Sequence, residues 1–163
     1  MKYKPEDGFP YYFEWAKDDD LHSLFASHST YDLFKSIDEE KANHRYAPDK
    51  WSIKQVVGHI TDHERIKMFR AFQLSRGEQI ELWGYDQNLL VNNARFDEVE
   101  MKQLIIDFSN VRKASLSFIE MLSDTQLQIN GMARQHQVTL KEFLKSIIGH
   151  ERHHVHILKE RYL

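Results

Sequence analysis

Within this 163-residue chain the stretch GHERHHVHIL, residues 149–158, holds four histidines. Imidazole ligates metals, moves protons and changes charge near neutral pH, so the spacing of the rings decides among these chemistries. At about 100° per residue, Leu140, Phe143, Ile147, His150, His154, Ile157 and Leu158 fall on one stripe of a helix. His150 and His154 stand four apart in the middle of that apolar face, so both rings project from successive turns and can reach one ion. His153 lies at the edge of the stripe and His156 on the polar side, and both are expected at the surface. A buried imidazole needs partners for both nitrogens or costs about 1–3 kcal/mol. A metal ion satisfies one nitrogen of each ring and a polar core network satisfies them by hydrogen bonds; from the pair alone either reading stands.

A third ligand has to come from a facing helix. Ile53, Val56, Val57, Ile60, Met68 and Ala71 form an apolar stripe, and His59 and His63 flank it on one side. Either histidine can turn inward, and His63 reads equally as a solvated boundary residue. His22, His28, His44 and His136 have no such context, although His28 falls on the apolar side of its helix. A further anomaly is Arg112, placed in the inward stripe Met101, Leu104, Ile105, Phe108, Arg112, Ser115, Leu116 and Ile119. A buried guanidinium cannot lose its charge and needs a partner. An ion pair with Asp32, Asp62 or Glu64 is the plainer reading, and an anion-binding residue beside a metal the sharper one. His63 and Arg112 are therefore the catalytic candidates.

Four helical stretches would position these side chains. The first is expected from Leu21 to Ile37, with Asp18–Asp20 supplying a cap and negative charge at its start. The second follows the capping-box pair Ser52 and Gln55 and continues to about Ser75, stopped near Gly77. The third starts after Asp97 and reaches about Leu122, and the fourth opens on a second capping box, Thr139 and Glu142. The connection GEQIELWGYDQNLLVNNARF, residues 77–96, is far longer than adjacent antiparallel helices need, so it should cross the bundle or cover a site. The expectation is an all-α four-helix bundle with a long crossover between helices 2 and 3. One domain should span residues 1–163, with an aromatic arm over 1–16 packed on the bundle or on a second subunit.

Composition narrows the function classes. The chain has no cysteine, which removes disulfides, thiolate metal sites and cysteine nucleophiles and leaves His, Asp and Glu to hold any metal. A net charge of -3 with interspersed signs and no basic stripe argues against a nucleic-acid partner. No apolar run is long enough to span a bilayer, and the first twenty residues lack a secretory signal, so a cytoplasmic location is expected.

The segments RYAPDKWSIKQVVGHITDHERI (45–66), YDQNLLV (85–91) and GHERHHVHILKERYL (149–163), with the inward Arg112 between the last two, resemble the DinB/YfiT-like superfamily of metal-binding four-helix bundles. The name denotes the damage-inducible bundle proteins and not the polymerase of the same label. The resemblance implies a divalent ion, zinc or nickel, held by one histidine of the second helix and an HxxxH pair of the last. The histidine of GHITD selects His59 over His63, and the HxxxH pair falls on His150 and His154. It further implies transferases or isomerases that use low-molecular-weight thiols such as bacillithiol or mycothiol, hence a metal-activated thiol attacking a small-molecule electrophile, and a homodimer. Arg112 would then bind a substrate carboxylate, and His63 and His153 would be acid–base or supporting groups. Where that family carries a proline-rich stretch the chain reads EQIELWG, so substrate preference is not transferred. Metal-assisted hydrolysis is the nearest enzymatic alternative; a non-catalytic metal-binding module with a stress role, and a histidine-protonation switch, are the others.

Overall fold

The computed structural model describes residues 2–78, 82 and 84–163. Its elements are α1 (Phe9–Glu14), α2 (Leu21–Ala26), α3 (Ser29–Lys35), α4 (Glu39–Ala42), α5 (Ile53–Ser75), α6 (Gln87–Asn93), α7 (Met101–Glu120), α8 (Asp124–Leu127), a hairpin of β1 (Asn130–Ala133) and β2 (His136–Thr139), and α9 (Leu140–Ile157). A π turn, Leu158–Tyr162, extends α9. Both long helices that carry the histidines begin where their capping boxes place them. Ser52 Oγ accepts from the Gln55 amide at 3.1 Å and the Gln55 side chain reaches back to the Ser52 amide at 3.0 Å. Thr139 and Glu142 do the same for α9.

The first helix is not continuous. Ser27 adopts an extended backbone (φ -65°, ψ 131°), which divides the stretch into α2 and α3. Serine hydroxyls compete with the helix for hydrogen bonds, and here Ser27 Oγ bonds Ser29 Oγ at 3.0 Å. The restart turns Thr30 inward, where its hydroxyl donates to Glu151 Oε1 at 2.6 Å. The hairpin has no counterpart among the expected elements. It is two four-residue strands joined at Arg134 and Gln135, with Arg134 in the left-handed region at φ 55°.

Two apolar clusters reveal the direction of each helix. One gathers Leu24, Ala71, Leu74, Ile119, Leu140 and Phe143; the other gathers Phe34, Ile53, Val57, Met101, Phe108 and Leu158. Helices α5 and α7 therefore run the same way, with α2–α3 and α9 opposed to them. Parallel neighbours cannot be joined by a tight turn, so the chain after α5 must return along the bundle before α7 begins. That return carries α6 and a 3-10 turn at Phe96–Glu98, whose Phe96 ring lies so close to Gly58 that a Cβ there would sit 2.4 Å from it. The long crossover and the four-helix bundle thus have the expected form. Most of EQIELWG, residues 79–81 and 83, lies outside the described residues. Among the described residues no helix is long and apolar enough to cross a membrane.

The arm forms α1 and packs on α9 of its own chain. Close approach is possible because residue 149 is glycine: a Cβ there would lie 1.8 Å from the Tyr12 carbonyl oxygen.

Candidate metal centre

His59 projects from the second turn of α5, and His150 and His154 from the last turns of the antiparallel α9, so three buried rings meet between two rigid helices. His59 Nε2 lies 3.0 Å from His150 Nε2, and His154 Nε2 lies 3.1 Å from the same atom. Burial first, and then the neighbouring His153, pushes the His59 pKa down to about 4. Burial, reinforced by the surrounding histidines, holds His150 and His154 well below the ordinary histidine value. All three rings are neutral at pH 7 and each carries one N–H.

Three neutral rings cannot satisfy this arrangement by themselves. If His150 Nε2 carries its hydrogen, it can donate to only one of its two neighbours. If instead the hydrogen is on Nδ1, Nε2 can accept from His59 or His154, but the Nδ1–H is then buried without an acceptor, since His150 Nδ1 has no hydrogen-bond partner among the described residues. Nitrogens that share one divalent ion at about 2.0–2.1 Å stand roughly 3 Å apart, the spacing of His150 from each of the other two, and all three ligand atoms lie within 4.8 Å of one another, so the donor set is of a kind that could hold such an ion.

Aromatic side chains enclose the triad. The Trp51 ring packs 4.8 Å from His59 and stacks near His154 at 6.4 Å, and its carbonyl is held by the Tyr162 hydroxyl at 2.7 Å. Tyr12 from α1 packs edge-on to His150 at 5.0 Å. His63 is also buried, not solvated: its ring stacks on His150 with centroids 3.5 Å apart and planes 7° from parallel, and its Nδ1 shares a 2.8 Å hydrogen bond with the Tyr85 hydroxyl. Its pKa lies well below the ordinary value, first because of burial and then because of Lys67. His153 is half-buried under the arm, with Nδ1 2.9 Å from the Tyr11 hydroxyl, whereas His156 is exposed as expected.

Arg112 is buried and turned away from any ligand by its own partners. Its Nε and Nη2 grip Glu64 at 2.9–3.2 Å, and Nη2 also bonds Glu151. Burial opposes the charge, but Glu151 and Glu64 together outweigh it and raise the pKa. Of the three expected partners only Glu64 is used; Asp62 pairs with Arg65, and Glu151 takes the place given to Asp32 and Asp62. The substrate-carboxylate role expected for Arg112 does not fit a guanidinium already engaged by two carboxylates.

A cleft of about 430 Å³ opens beside the triad, lined among others by Tyr12, His63, Lys67, Tyr85, Arg134, Ser146 and His150. The cleft was not legible as a unit, since Tyr12, Tyr85 and Arg134 come from the arm, the crossover and the unforeseen hairpin.

A mixed-direction helical bundle with three histidines converging between α5 and α9, next to an open cleft, defines a class of bundle proteins built around a buried polar centre. The DinB superfamily profile matches residues 25–158, and the chain belongs to that superfamily. Among solved structures it is similar to YfiT from Bacillus subtilis, a probable metal-dependent hydrolase with an unusual four-helix bundle topology. The likeness has a TM-score of 0.71 at 14% identity and covers 98% of this chain and 89% of that one. No curated protein matches the sequence.

Proposed function

We propose that His59, His150 and His154 hold one divalent ion, zinc or nickel, and that the protein is a metal-dependent enzyme acting on a small molecule bound in the adjoining cleft. The observation that carries this reading is the convergence of three buried neutral histidine rings whose nitrogens hydrogen bonding does not all satisfy among the described residues, His150 Nδ1 being left over. When bound, an ion with three imidazole ligands and an open position supplies Lewis acidity, lowering the pKa of a coordinated water or thiol toward neutrality.

The side chains around it have separable tasks. Trp51 and Tyr12 keep bulk water from the flanks of the triad, and the His63 ring stacked on His150 fixes its orientation. His63 also faces the cleft, and its tautomer depends on Tyr85: if the phenol donates to Nδ1, then Nε2–H can donate a hydrogen bond to a group bound in the cleft. The lining offers no cysteine, and the Ser146 hydroxyl is spent on the Phe143 carbonyl at 2.6 Å. On this reading the nucleophile enters from solution. Transfer of a low-molecular-weight thiol to a small electrophile is the reading adopted here; hydrolysis, with water as the nucleophile, is the second, favoured by the description of the YfiT neighbour.

The test is elemental analysis of untagged protein, purified without chelator or metal resin, alongside His59→Ala, His150→Ala and His154→Ala. About one ion per chain in the parent and a marked loss in each variant is expected. Undiminished stoichiometry in all three variants overturns the ligand assignment. Thiol-transfer and hydrolysis assays on the loaded protein then separate the two reactions.

A further inference from the structure

Helix α5 continues the line of its two histidines with a lysine. His59, His63 and Lys67 are four residues apart, so each succeeding Cα lies about 6 Å farther along one face of the helix. His63 and Lys67 line the same cleft as His150. Lys67 is half-buried, with Nζ 5.4 Å over the ring of Phe143. Among the described residues no carboxylate lies within ion-pair distance of it, whereas Lys54, Arg65, Arg112 and Arg152 each have one. Burial first, then Arg70 and Arg134, push its pKa down to about 8, so it is mostly a cation at neutral pH beside two other cations.

Arg134 completes the arrangement from the hairpin. Its guanidinium packs against two glycines, 3.9 Å from a Cβ placed on Gly8 and 3.6 Å from one placed on Gly84. Its Nη1 donates to the Glu6 carbonyl at 3.2 Å, which ties the hairpin tip to the arm. The carboxylates that line the cleft, Glu6 and Asp86, are both exposed at its rim, and Asp86 is engaged by the Leu89 amide at 3.0 Å. Among the described residues the inner wall therefore carries the cation of Lys67, and the exposed rim carries Arg134 together with Glu6 and Asp86.

We propose that this cleft is an oxyanion subsite, in which Lys67 anchors and Arg134 borders the carboxylate or phosphate group of a small substrate. An unpaired, half-buried ammonium gains a charge-assisted hydrogen bond from such a group, which water at an apolar wall supplies poorly. The spacing along α5 sets the substrate's length: its anionic group sits about one to two helical turns, roughly 6–12 Å, from the group that reacts at the histidines. The position of that reacting group rests on the metal-centre reading; the anion subsite itself rests on the cleft.

Inorganic phosphate and acetate are titrated separately into the full chain, as purified and after chelator treatment, with binding followed by amide chemical shifts. Saturable binding is expected in both forms, with shifts centred on Lys67 and Phe143. The dissociation constant should rise at least tenfold in Lys67→Met, severalfold in Arg134→Ala, and little in Lys67→Arg. Tighter phosphate assigns a phosphoryl group to the substrate and tighter acetate a carboxylate. Metal content of Lys67→Met should equal that of the parent. Absence of saturable binding in the parent, or equal binding in Lys67→Met, overturns the subsite. Binding lost in His150→Ala but kept in Lys67→Met overturns it too, by placing the anion at the histidines. If Lys67→Met fails to fold, Lys67→Gln carries the same expectation. Anion binding in a parent that takes up no metal leaves the subsite standing and refutes the metal centre alone.

Discussion

Gly149 offers a substitution whose sign separates two physical accounts. It lies inside α9 in helical conformation, so by propensity alone Gly149→Ala stabilises the protein by about 1 kcal/mol. The packing says otherwise. The new Cβ would stand 1.8 Å from the Tyr12 carbonyl oxygen and 2.7 Å from its carbon, where real contacts stay above 3.0 Å. The obstacle is backbone, so α1 must withdraw by more than 1 Å. Withdrawal stretches the 2.9 Å bond between Tyr11 and His153 and loosens Tyr12 from His150. Overpacking of this kind costs about 1–3 kcal/mol, and losing the hydrogen bond adds about 1 kcal/mol, which together outweigh the propensity gain. A net destabilisation of about 1–3 kcal/mol lowers Tm by roughly 2–10 °C in a domain of this size. Thermal melts of the metal-free protein read the sign directly, and Trp15 fluorescence follows the arm. A Tm that rises by a few degrees, with unchanged fluorescence, would refute the docking of α1 against α9.

Three other outcomes follow from the same geometry. Arg112→Met strands Glu64 and Glu151 in the interior, and should cost about 3–5 kcal/mol, read by denaturant melts; Arg112→Lys should recover only part, because an ammonium cannot reproduce the guanidinium's grip on both carboxylates. A saturating divalent ion, at about a hundred times its dissociation constant, should stabilise the protein by roughly 2.7 kcal/mol and raise Tm by about 5–10 °C; melting curves that ignore both zinc and chelator count against the centre. The metal-free protein should also weaken in acid. The buried histidines have folded pKa values below their unfolded ones, so the unfolded chain binds protons first and stability present above pH 6.5 is lost as pH falls toward 4. His59 alone, displaced to about 4, contributes on the order of 3 kcal/mol over that window. Equal unfolding free energies at pH 7 and pH 4.5 would contradict neutral burial of the ring.

The parts legible in the sequence are those written in a helical period. Helices α5 and α9 announce themselves by capping boxes and long apolar stripes; the stripe of α9 places His150 and His154 inward, and that of α7 places Arg112 inward. Glu64 and Glu151 were legible too: each falls four residues after a core isoleucine, Ile60 and Ile147, and seven after Val57 and Leu144. Both sit among polar neighbours, in TDHER and HERHH, and of the two only Glu64 is among the partners expected for Arg112. Gly149 in mid-helix was a further sign of close backbone approach. The break at Ser27 turns on a hydroxyl competing with a backbone bond, and the hairpin is too short for its alternation to show. The choice of His59 over His63 rested on family resemblance, because both flank one stripe. In three dimensions both are buried, and it is Nε2 of His59 that meets the other two rings while His63 lies flat against His150.

The buried polar groups between the two apolar clusters make sense as one electrostatic unit. Three neutral imidazoles offer a cation ligand atoms and no charge. On the same two helices, Glu64 and Glu151 both face the guanidinium of Arg112, a three-residue network with a formal charge of -1. Glu151 directly follows His150 and precedes His154 by three residues on the same helix, and it is held in place by Thr30 from α3. In an interior of low dielectric such a surplus is costly alone and favourable near a cation, so under the proposed metal centre it would favour a divalent ion at the histidines without occupying a coordination position. Lys67 stands on the opposite course, one turn beyond His63 and inside the cleft. If both proposals hold, the carboxylate-rich network of Arg112 lies on the helices that carry the ligands and Lys67 lies in the cleft, an order that would favour a metal at the one and an anionic small molecule at the other.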